Sequence, residues 1–312
     1  MNTMMKKIIP IILITAFTAL TMNAQQELQL SQYMFNQLLT NPAYSGTHSY
    51  GSASVVHRSQ WVSFDNAPTS QVASLETPIG EKLGLGLLVT NDSHGIIKEL
   101  SFMGNVGYKF NITSTTKLSL AVRLGVSSYS TDFGDIDVWD TDDPIYSSSN
   151  ISGEFIPKFG AGAYLYDKKW YVSLGVPTIT APSDDKLILT STDAKYFEQH
   201  YYLGAGYVFP LSPILDFRPS TLMKYQNTAP AEVDINANFL INKKLWLGIG
   251  YRTGDALIGM VEYNFSNRLR GGYAYDFTTS DIRNYSNGSH EIMIAFDFGE
   301  DILIKKTSPR YF

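Results

Sequence analysis

The sequence predicts an all-β fold, a transmembrane antiparallel β-barrel of about 14 strands with short periplasmic turns and longer extracellular loops. Between residues 244 and 298, four consecutive segments alternate large apolar residues with polar or small ones, as strands with one apolar face do. These segments run about ten residues, the length that crosses a bilayer at a tilt of about 45°, whereas strands of soluble sandwiches run about five or six. An export signal and the pattern of loop lengths support the same fold.

The alternation also assigns side chains to lipid or lumen, because successive residues of a strand point to opposite faces. Residues 117–127 show the pattern most clearly, with Val122 at the centre of an aliphatic face. Arg123 is assigned to the lumen, since an Arg facing lipid at mid-depth costs about 2–4 kcal/mol. The inward Ser119 is expected to tolerate replacement by Arg. The same parity assigns these charged residues to the lumen: Arg123, Lys158, Glu232, Asp234, Arg252, Glu262, Arg270, Asp276, Glu291 and Asp297.

Composition narrows the class of protein. The chain of 312 residues contains 20 Tyr, 17 Phe and 24 Gly, and only 17% of its residues are charged, as expected of many aromatic-flanked strands and turns. Its net charge of −5 and the lack of a basic stripe give no support to nucleic-acid binding. The chain has no Cys, which excludes disulfides, thiolate metal sites and a Cys nucleophile.

Residues 1–24 have the layout of a secretory signal peptide. Lys6 and Lys7 precede an apolar run over residues 8–20, and a short polar stretch ends at Ala24, after which we expect cleavage. The run is too short for a permanent spanning helix, although an N-terminal anchor remains the alternative. An export signal without a later apolar stretch of about 18 residues indicates a protein beyond the inner membrane, and the strand alternation selects the outer membrane.

Residues 25–49 are not predicted to form a membrane strand. They are polar, apart from an apolar cluster around Tyr33, Phe35 and Leu38 that is followed by the turn sequence NPAYSG at residues 41–46. We interpret the segment as a periplasmic plug that packs into the mouth of the barrel, with a disordered leader as the alternative.

Fourteen strands are predicted in the barrel region, residues 50–298. Ten precede the four described above, at about Tyr50–Arg58, Pro68–Thr77, Lys82–Asp92, Lys98–Phe110, Lys117–Ser128, Phe155–Tyr166, Lys169–Val176, His200–Phe209, Ile214–Gln226 and Ala231–Ile241. An even number is usual in single-chain bacterial barrels. Residues 299–312 follow the last strand as a periplasmic C-terminal tail.

Loop lengths predict the orientation of the barrel. The even-numbered connections are all short, and among the odd-numbered ones only Thr253–Asp255 is short. The long odd-numbered connections lie at residues 59–67, 129–154, 177–199 and 279–287. Because such barrels have short periplasmic turns and longer outer loops, we expect both termini in the periplasm and the long loops at the cell surface.

The connection at residues 129–154 is acidic, and oxygen-rich clusters suit Ca²⁺. Its carboxylates are Asp132, Asp135, Asp137, Asp140, Asp142 and Asp143. Their spacing lacks the pattern of an EF-hand loop, so a solvated acidic loop is favoured and calcium binding is the alternative.

The sequence Ser289-His290-Glu291 suggests a hydrolase or a metal site. On a strand, however, His290 and Glu291 point to opposite faces and cannot ligate one ion together. Outer-membrane lipases that pair Ser with His keep an enzyme as a minor alternative. We therefore expect no enzyme, and we assign no catalytic residue, cofactor or metal ligand.

Short glycine-rich patches occur in several strands, for example Gly84-Leu85-Gly86 and Gly160-Ala161-Gly162. No helix follows them, so they are not phosphate-binding loops. Inward glycines are expected to let the wall curve and to leave room in the interior.

Several motifs, taken in order, resemble the PorP/SprF family. They are NPAYSG at residues 41–46, RSQW at 58–61 with PT at 68–69, GYAYD at 272–276 with GSHEI at 288–292, and SPRYF at 308–312. The resemblance covers essentially the whole mature chain, and the order of the motifs makes it fairly specific. Proteins of this family are membrane components of the type IX secretion system in Bacteroidota.

The resemblance implies an outer-membrane protein needed for the secretion or surface anchoring of large adhesins of the gliding-motility type, which carry a C-terminal sorting domain. It also implies periplasmic partners, including the secretion ring and a peptidoglycan-binding protein. The candidate partner-binding residues are Asn41, Pro42, Arg58, Trp61, Arg310, Tyr311 and Phe312.

A different class of function remains open, a barrel transporter or channel for a small ligand with the N-terminal segment as a hatch. The predicted charged lumen is a poor surface for an apolar ligand, which favours the secretion-associated function. A fourteen-stranded barrel is also too wide to be filled by its own wall side chains, so a peptide segment or a partner domain could enter it.

Overall fold

The barrel wall is one closed antiparallel sheet. The computed structural model describes residues 28–131, 151–179, 199–227 and 229–299. The strands are β1 (Gly51–Ser59), β2 (Thr69–Ile79), β3 (Leu83–His94), β4 (Ile97–Asn111), β5 (Lys117–Thr131), β6 (Ile151–Tyr166), β7 (Trp170–Ile179), β8 (Tyr201–Tyr207), β9 (Phe209–Ser212), β10 (Leu215–Gln226), β11 (Ala229–Ile241), β12 (Leu245–Arg252), β13 (Ala256–Asn264), β14 (Leu269–Thr278) and β15 (Ser289–Phe298). The last strand, β15, pairs with β1 and closes the barrel.

Two of these segments, β8 and β9, are pieces of one barrel strand. Both pair with β10, and the buried Val208 interrupts the ladder between them. The break adjoins Pro210, which has no N–H to donate to a ladder. The predicted strand His200–Phe209 is therefore interrupted at Val208 and extends to Ser212. Over the described residues the sheet has fourteen barrel strands, which confirms the predicted fold class and strand number.

The two ends of the barrel differ. At the first, which we call the turn end, the connections are residues 80–82, 112–116, 167–169, 213–214, 242–244 and 265–268. At the second, the loop end, residues 60–68 and 279–288 form longer connections, and others contain residues outside the described ranges. The prediction that Thr253–Asp255 is the only short connection at this end is wrong. Strands β3 and β4 also meet there in a tight turn, in which Gly95 has a φ of 58°.

The side chains of the wall alternate between the outside and the lumen. On β5, Val122 is 55% exposed whereas the neighbouring Arg123 is 1% exposed. On β12, Ile249 is exposed whereas Arg252 is buried. The outside is thus apolar and the charged residues are inside, the arrangement of a barrel surrounded by lipid. Among the described residues, no helix is long and apolar enough to cross a membrane.

Residues 28–50 run through the lumen, and we call this segment the plug. It contains two short 3₁₀ helices, Tyr33–Phe35 and Pro42–Tyr44, and residues 30–46 are buried. Gln29 bonds to a wall residue near the loop end, whereas β1 follows the plug at the turn end. The plug therefore crosses the lumen from the loop end to the turn end. This direction differs from the prediction, which placed the segment in the periplasmic mouth with the N-terminus at the turn end.

The middle of the plug forms an apolar core with the wall. Plug residues Leu30, Tyr33, Met34, Phe35 and Leu39 pack against inward-facing wall residues such as Val56, Val72, Leu88, Met103, Trp246 and Met293. Burying large apolar side chains in this way stabilises a fold by about 1.5–3 kcal/mol each. The side chains of the wall alone cannot fill so wide a lumen. The N-terminal segment of the same chain fills it instead.

Candidate functional site

Near the loop end, charged wall residues bind the backbone of the plug. Arg58 on β1 lies 2.7 Å from Asp276 on β14 and 3.1 Å from Glu291 on β15. The Glu291 carboxylate accepts hydrogen bonds from the backbone N–H groups of Ser31 at 2.7 Å and Gln32 at 2.9 Å. The Ser31 hydroxyl donates to Asp276 at 2.7 Å and accepts from Arg58 at 2.8 Å. The plug is therefore part of a buried ionic network that spans three strands.

A second arginine extends this network around the wall. Arg252 on β12 donates to both carboxylate oxygens of Asp234 on β11, each at 3.0 Å, and lies 3.4 Å from Asp276. Glu232 lies 3.7 Å from Arg252 and accepts a hydrogen bond of 2.5 Å from the plug residue Gln29. Bidentate Arg–carboxylate pairs of this kind combine strength with fixed geometry.

In the middle of the lumen, Arg123 on β5 binds plug carbonyls. It donates to the carbonyl oxygen of Leu39 at 3.2 Å and to that of Leu38, while its Nε donates to Asn105 at 2.6 Å. A buried carbonyl without a partner is costly, and the irregular plug has no regular ladder to satisfy its own. Arg123 supplies the missing donors.

The opposite wall contributes an aromatic contact. Trp246 on β12 points inward, and its ring meets that of the plug residue Phe35 edge to face at 5.4 Å. The guanidinium of Arg218 on β10 lies over the same indole at 4.6 Å, a cation–π geometry. Trp246 alternates with the outward Leu247, so its parity places this large side chain in the lumen, where the plug packs against it.

The turn sequence at residues 41–46 is fixed to β6 and β7. The Asn41 side-chain oxygen accepts from the Ala43 N–H at 2.8 Å and caps the second 3₁₀ helix, where Pro42 occupies the first position. The Asn41 amide donates to the Ala163 carbonyl at 3.0 Å and to the Ser173 hydroxyl at 2.8 Å. One side chain therefore shapes the turn and attaches it to the wall.

Two wall residues of opposite charge hold the last part of the plug at the turn end. Glu76 on β2 accepts from the Gly46 N–H at 3.0 Å and lies 2.8 Å from the His48 ring. Lys109 on β4 donates to the Gly46 carbonyl at 2.7 Å. The backbone N–H and carbonyl of Gly46 are thus both satisfied by the wall, as buried backbone requires.

Glycines in the wall make room for the plug. A Cβ at Gly84 would lie 2.0 Å from the Ser45 carbonyl oxygen, and one at Gly175 would lie 2.1 Å from that of Thr40. The predicted room left by inward glycines is thus occupied by plug backbone in close approach.

The structure places the other predicted lumen residues as follows. Lys158 pairs with Glu99, Arg270 lies 3.7 Å from Glu262, and Asp297 accepts a hydrogen bond of 2.9 Å from Ser52. All of the charged residues assigned to the lumen are buried except Glu232, which is half-buried.

Sequence reasoning missed further charged residues that also lie inside: Glu76, Glu99, Lys109, Arg218 and Lys224. The alternation of inward and outward residues along each strand could have identified them. Lys109, for example, alternates with Tyr108 and Phe110, which face outward.

Three predicted partner-binding residues have internal roles. Asn41, Pro42 and Arg58 are buried and contact the plug or the wall, so in this conformation they are not available to another protein. Trp61 lies in the connection 60–68 at the loop end, is half-buried, and donates its backbone N–H to the Ser289 hydroxyl at 3.1 Å. Arg310, Tyr311 and Phe312 lie outside the described residues, as do the predicted signal peptide and most of the acidic loop.

The residues of the Ser-His-Glu sequence do not form a common site. Ser289 is buried and binds the Trp61 backbone, whereas Glu291 binds the plug. His290 lies on the outer face, with its Nδ1 at 2.7 Å from the Tyr273 hydroxyl. The alternation of the strand separates the three side chains, as their parity predicts.

A family model described as "Type IX secretion system membrane protein PorP/SprF" matches residues 22–296 of the chain. No curated protein has a significantly similar sequence. Together with the barrel fold, the family match assigns the protein to the outer membrane.

Among solved structures, the chain is similar to several outer-membrane barrels at low identity. The toluene transporter TbuX of Ralstonia pickettii is 9% identical, with 85% of this chain and 92% of that chain covered at a TM-score of 0.47. A mutant of the monoaromatic hydrocarbon channel TodX is 10% identical, with 89% and 96% covered at 0.48. The KdgM porin is 9% identical, with 80% and 99% covered at 0.37.

Proposed function

The chain belongs to the PorP/SprF family of type IX secretion system membrane proteins, and we propose that it supports the secretion and surface anchoring of large gliding-type adhesins through protein–protein contacts. The observation that carries this proposal is the filled lumen. Residues 28–50 are held by buried side chains near the loop end, in the middle and at the turn end. With the lumen occupied, the two rims and the outer wall remain as surfaces for function.

The loop end supplies a surface suited to such contacts. The connections 60–68 and 279–288 are joined by hydrogen bonds of 2.8 Å from Val62 N–H to the Gly288 carbonyl and from Asn287 N–H to the Val62 carbonyl. They expose two aromatic side chains, Phe64 at 47% and Tyr285 at 71%. Exposed aromatics on a braced pair of loops are typical of protein-binding surfaces. In this proposal the sorting domain of the adhesin binds at the loop end, and the secretion ring and peptidoglycan-binding proteins bind at the turn end.

The alternative function is a transporter or channel for a small ligand, in which the plug acts as a hatch. The observation in its favour is that the plug, apart from its chain connection to β1, is held in the wall by noncovalent contacts. Opening would, however, break the contacts of Arg58, Arg123 and Glu291 with the plug and expose its apolar core residues. This cost favours a plug that stays in place.

An experiment that links the plug to the wall by a reversible covalent bond distinguishes between the two proposed functions. The side chains of Asn36 and Ser54 touch, with Asn36 Nδ2 at 3.1 Å from Ser54 Oγ. The double variant Asn36→Cys/Ser54→Cys in the otherwise Cys-free chain is expected to form a disulfide that locks the plug. Surface adhesin is measured by antibody labelling of intact cells that carry the oxidised variant in place of the wild type.

We expect surface adhesin at the wild-type level with the plug locked, and little surface adhesin in cells that lack the protein. The two single Cys variants, treated with the same oxidant, control for the substitutions. If adhesin is lost on oxidation and returns on reduction, the plug must move and the hatch is favoured. If cells without the protein display adhesin normally, the proposed function is wrong.

A further inference from the structure

The turn end of the barrel is rich in basic residues. Its connections carry Lys or Arg at residues 82, 168, 169, 243, 244 and 268, and acids only at residues 81 and 167. In the described connections of the loop end, Arg283 is the one Lys or Arg. The turn end is therefore the cationic end of the molecule.

Five of the basic side chains occupy equivalent positions at the start of strands that run from the turn end. We call these five the basic rim: Lys82 before β3, Lys117 at the first position of β5, Lys169 before β7, Lys244 before β12 and Arg268 before β14. Of the strands that follow a turn-end connection, only β10 starts without one. The four members that precede a strand still continue its ladder, because each backbone carbonyl accepts an N–H from the next strand at 2.7 or 2.8 Å.

The register places the basic rim on the lumen side of the wall. Lys82 lies one step beyond the last pair of the β3–β4 ladder and stands opposite Lys109, which is buried and binds the plug. Arg268 stands likewise opposite Asp297, which is buried in the lumen. Residues that stand opposite each other in a ladder share a face. The rim therefore borders the mouth of the lumen, just beyond the end of the plug.

The charges of the basic rim are open to a partner. Lys117 is half-buried and the other four side chains are exposed. Within the described parts of the chain, no ion pair involves any of the five. Inside the lumen, in contrast, Arg58 and Asp276 lie 2.7 Å apart. Like charges around one mouth produce a positive potential that attracts anionic groups.

We propose that the basic rim is the docking site for an acidic segment of a periplasmic partner protein. This inference rests on the proposed function, in which periplasmic partners bind at the turn end. It adds the chemistry of the contact: carboxylates of the partner meet the Lys and Arg side chains around the mouth.

Two other occupants fit less well. Lipid phosphates lie outside the wall, whereas the rim has the parity of the lumen. The residues that directly follow the rim members have the outward parity and are apolar: Leu83, Leu118, Trp170, Leu245 and Leu269. The chain's own residues 299–312 contain more bases than acids, so they do not supply the complementary charge.

Binding of a defined peptide tests the chemistry of the rim. The full chain in nanodiscs of phosphatidylcholine is titrated with fluorescent poly-glutamate, and with poly-lysine of equal length, at low and at physiological ionic strength. We expect binding of poly-glutamate that weakens with salt, and no binding of poly-lysine. Lys169→Gln/Lys244→Gln should weaken the binding about fivefold. The matched control Lys168→Gln/Lys243→Gln removes two exposed lysines from the same two turns and should change the affinity by less than about twofold.

Three results of the measurements on purified protein overturn the proposal. The first is a wild-type chain that does not bind poly-glutamate. The second is equal affinity of the two double variants, which would assign the binding to the general charge of the turn end. The third is phosphatidylglycerol that copurifies with the wild type but not with Lys169→Gln/Lys244→Gln, which would make a lipid phosphate the occupant.

A charge reversal in cells tests whether the rim serves the proposed function. Lys169→Glu/Lys244→Glu should lower surface adhesin while heat-modifiable, folded barrel is kept, and Lys168→Glu/Lys243→Glu should leave both unchanged. If the first variant assembles poorly, Lys169→Gln/Lys244→Gln is measured in its place. Normal adhesin with the rim variant overturns the docking site, even where cells without the protein lose adhesin and so uphold the proposed function. If cells without the protein display adhesin normally, the proposed function fails and the peptide titration decides on the rim.

Discussion

Arg58 on β1 and Asp276 on β14 lie 2.7 Å apart across β15, with neither side chain more than 2% exposed. Between them the wall contains the β1–β15 seam that closes the barrel. Glu291 on β15 joins the pair and binds the plug backbone at Ser31. Closure of the barrel and placement of the plug therefore depend on the same buried charges.

Replacing Arg58 by Met tests this dependence. The change leaves the carboxylates of Asp276 and Glu291 buried without that counter-charge, and breaking a buried ion pair in this way costs about 3–5 kcal/mol. We expect a loss of that size in the free energy of unfolding, measured by urea titration of the barrel in lipid vesicles. The exposed Lys169→Met in a turn-end connection is the control and should change stability by less than about 0.5 kcal/mol.

Adding Glu291→Gln to the Arg58→Met variant should recover part of the loss, because one uncompensated charge is removed; the recovery is incomplete because the amide has a single acceptor oxygen for the two plug N–H groups. If Arg58→Met is as stable as the Lys169→Met control, the network does not stabilise the closed and plugged barrel.

Gly175→Ala tests whether the plug is held at a fixed depth. The new Cβ would lie 2.1 Å from the Thr40 carbonyl, which belongs to the plug backbone and cannot rotate away. We expect a destabilisation of about 1–3 kcal/mol from overpacking, and faster hydrogen exchange of plug amides by mass spectrometry. Gly259→Ala is the matched control, since a Cβ at Gly259 meets no atom within 4 Å. Identical exchange in the two variants would show that the plug has no fixed position at Thr40.

The sequence was sufficient to predict the wall but not the contents of the lumen. Strand alternation encodes which face a side chain occupies, so Arg123 and Asp276 could be assigned to the lumen from local pattern alone. The plug has no such period, and its contacts join residues distant in sequence, such as Ser31 and Glu291. For this reason the direction of the plug could not be predicted.

The alternation of residues along the strands also could not predict how tightly the interior of the barrel is packed. Ser119 was predicted to tolerate Arg because its parity assigns it to the lumen, but its side chain is fully buried there. An Arg at this position is now expected to clash. Arg58 shows another limitation, since its motif suggested a partner-binding residue but its side chain is buried in the lumen.

Single cysteines at Phe64 and Glu81 test the orientation of the barrel. Phe64 is exposed in the connection 60–68 at the loop end, and Glu81 is exposed in a short turn at the other end. Because long loops of such barrels face outward, a membrane-impermeant thiol reagent should label Phe64→Cys on intact cells and Glu81→Cys only after the outer membrane is permeabilised. The opposite pattern would invert the barrel and place the N-terminal end of the plug in the periplasm.

The C-terminal residues 308–312 are predicted to dock on a partner protein. Strand β15 ends at Phe298, which pairs with Gly51 at the turn end, so the chain leaves the barrel on the side predicted to be periplasmic. Arg, Tyr and other aromatic residues dominate the binding energy of protein interfaces, and the tail ends in Arg310, Tyr311 and Phe312. Replacing residues 308–312 by a Ser/Gly sequence of equal length should leave the amount of heat-modifiable, folded barrel unchanged and remove adhesin from the cell surface. Loss of both would instead indicate that the terminal aromatics serve recognition by the barrel-assembly machinery. Normal levels of both would eliminate the docking role, because a tail needed for partner contact cannot be dispensable for the surface display that the contact supports.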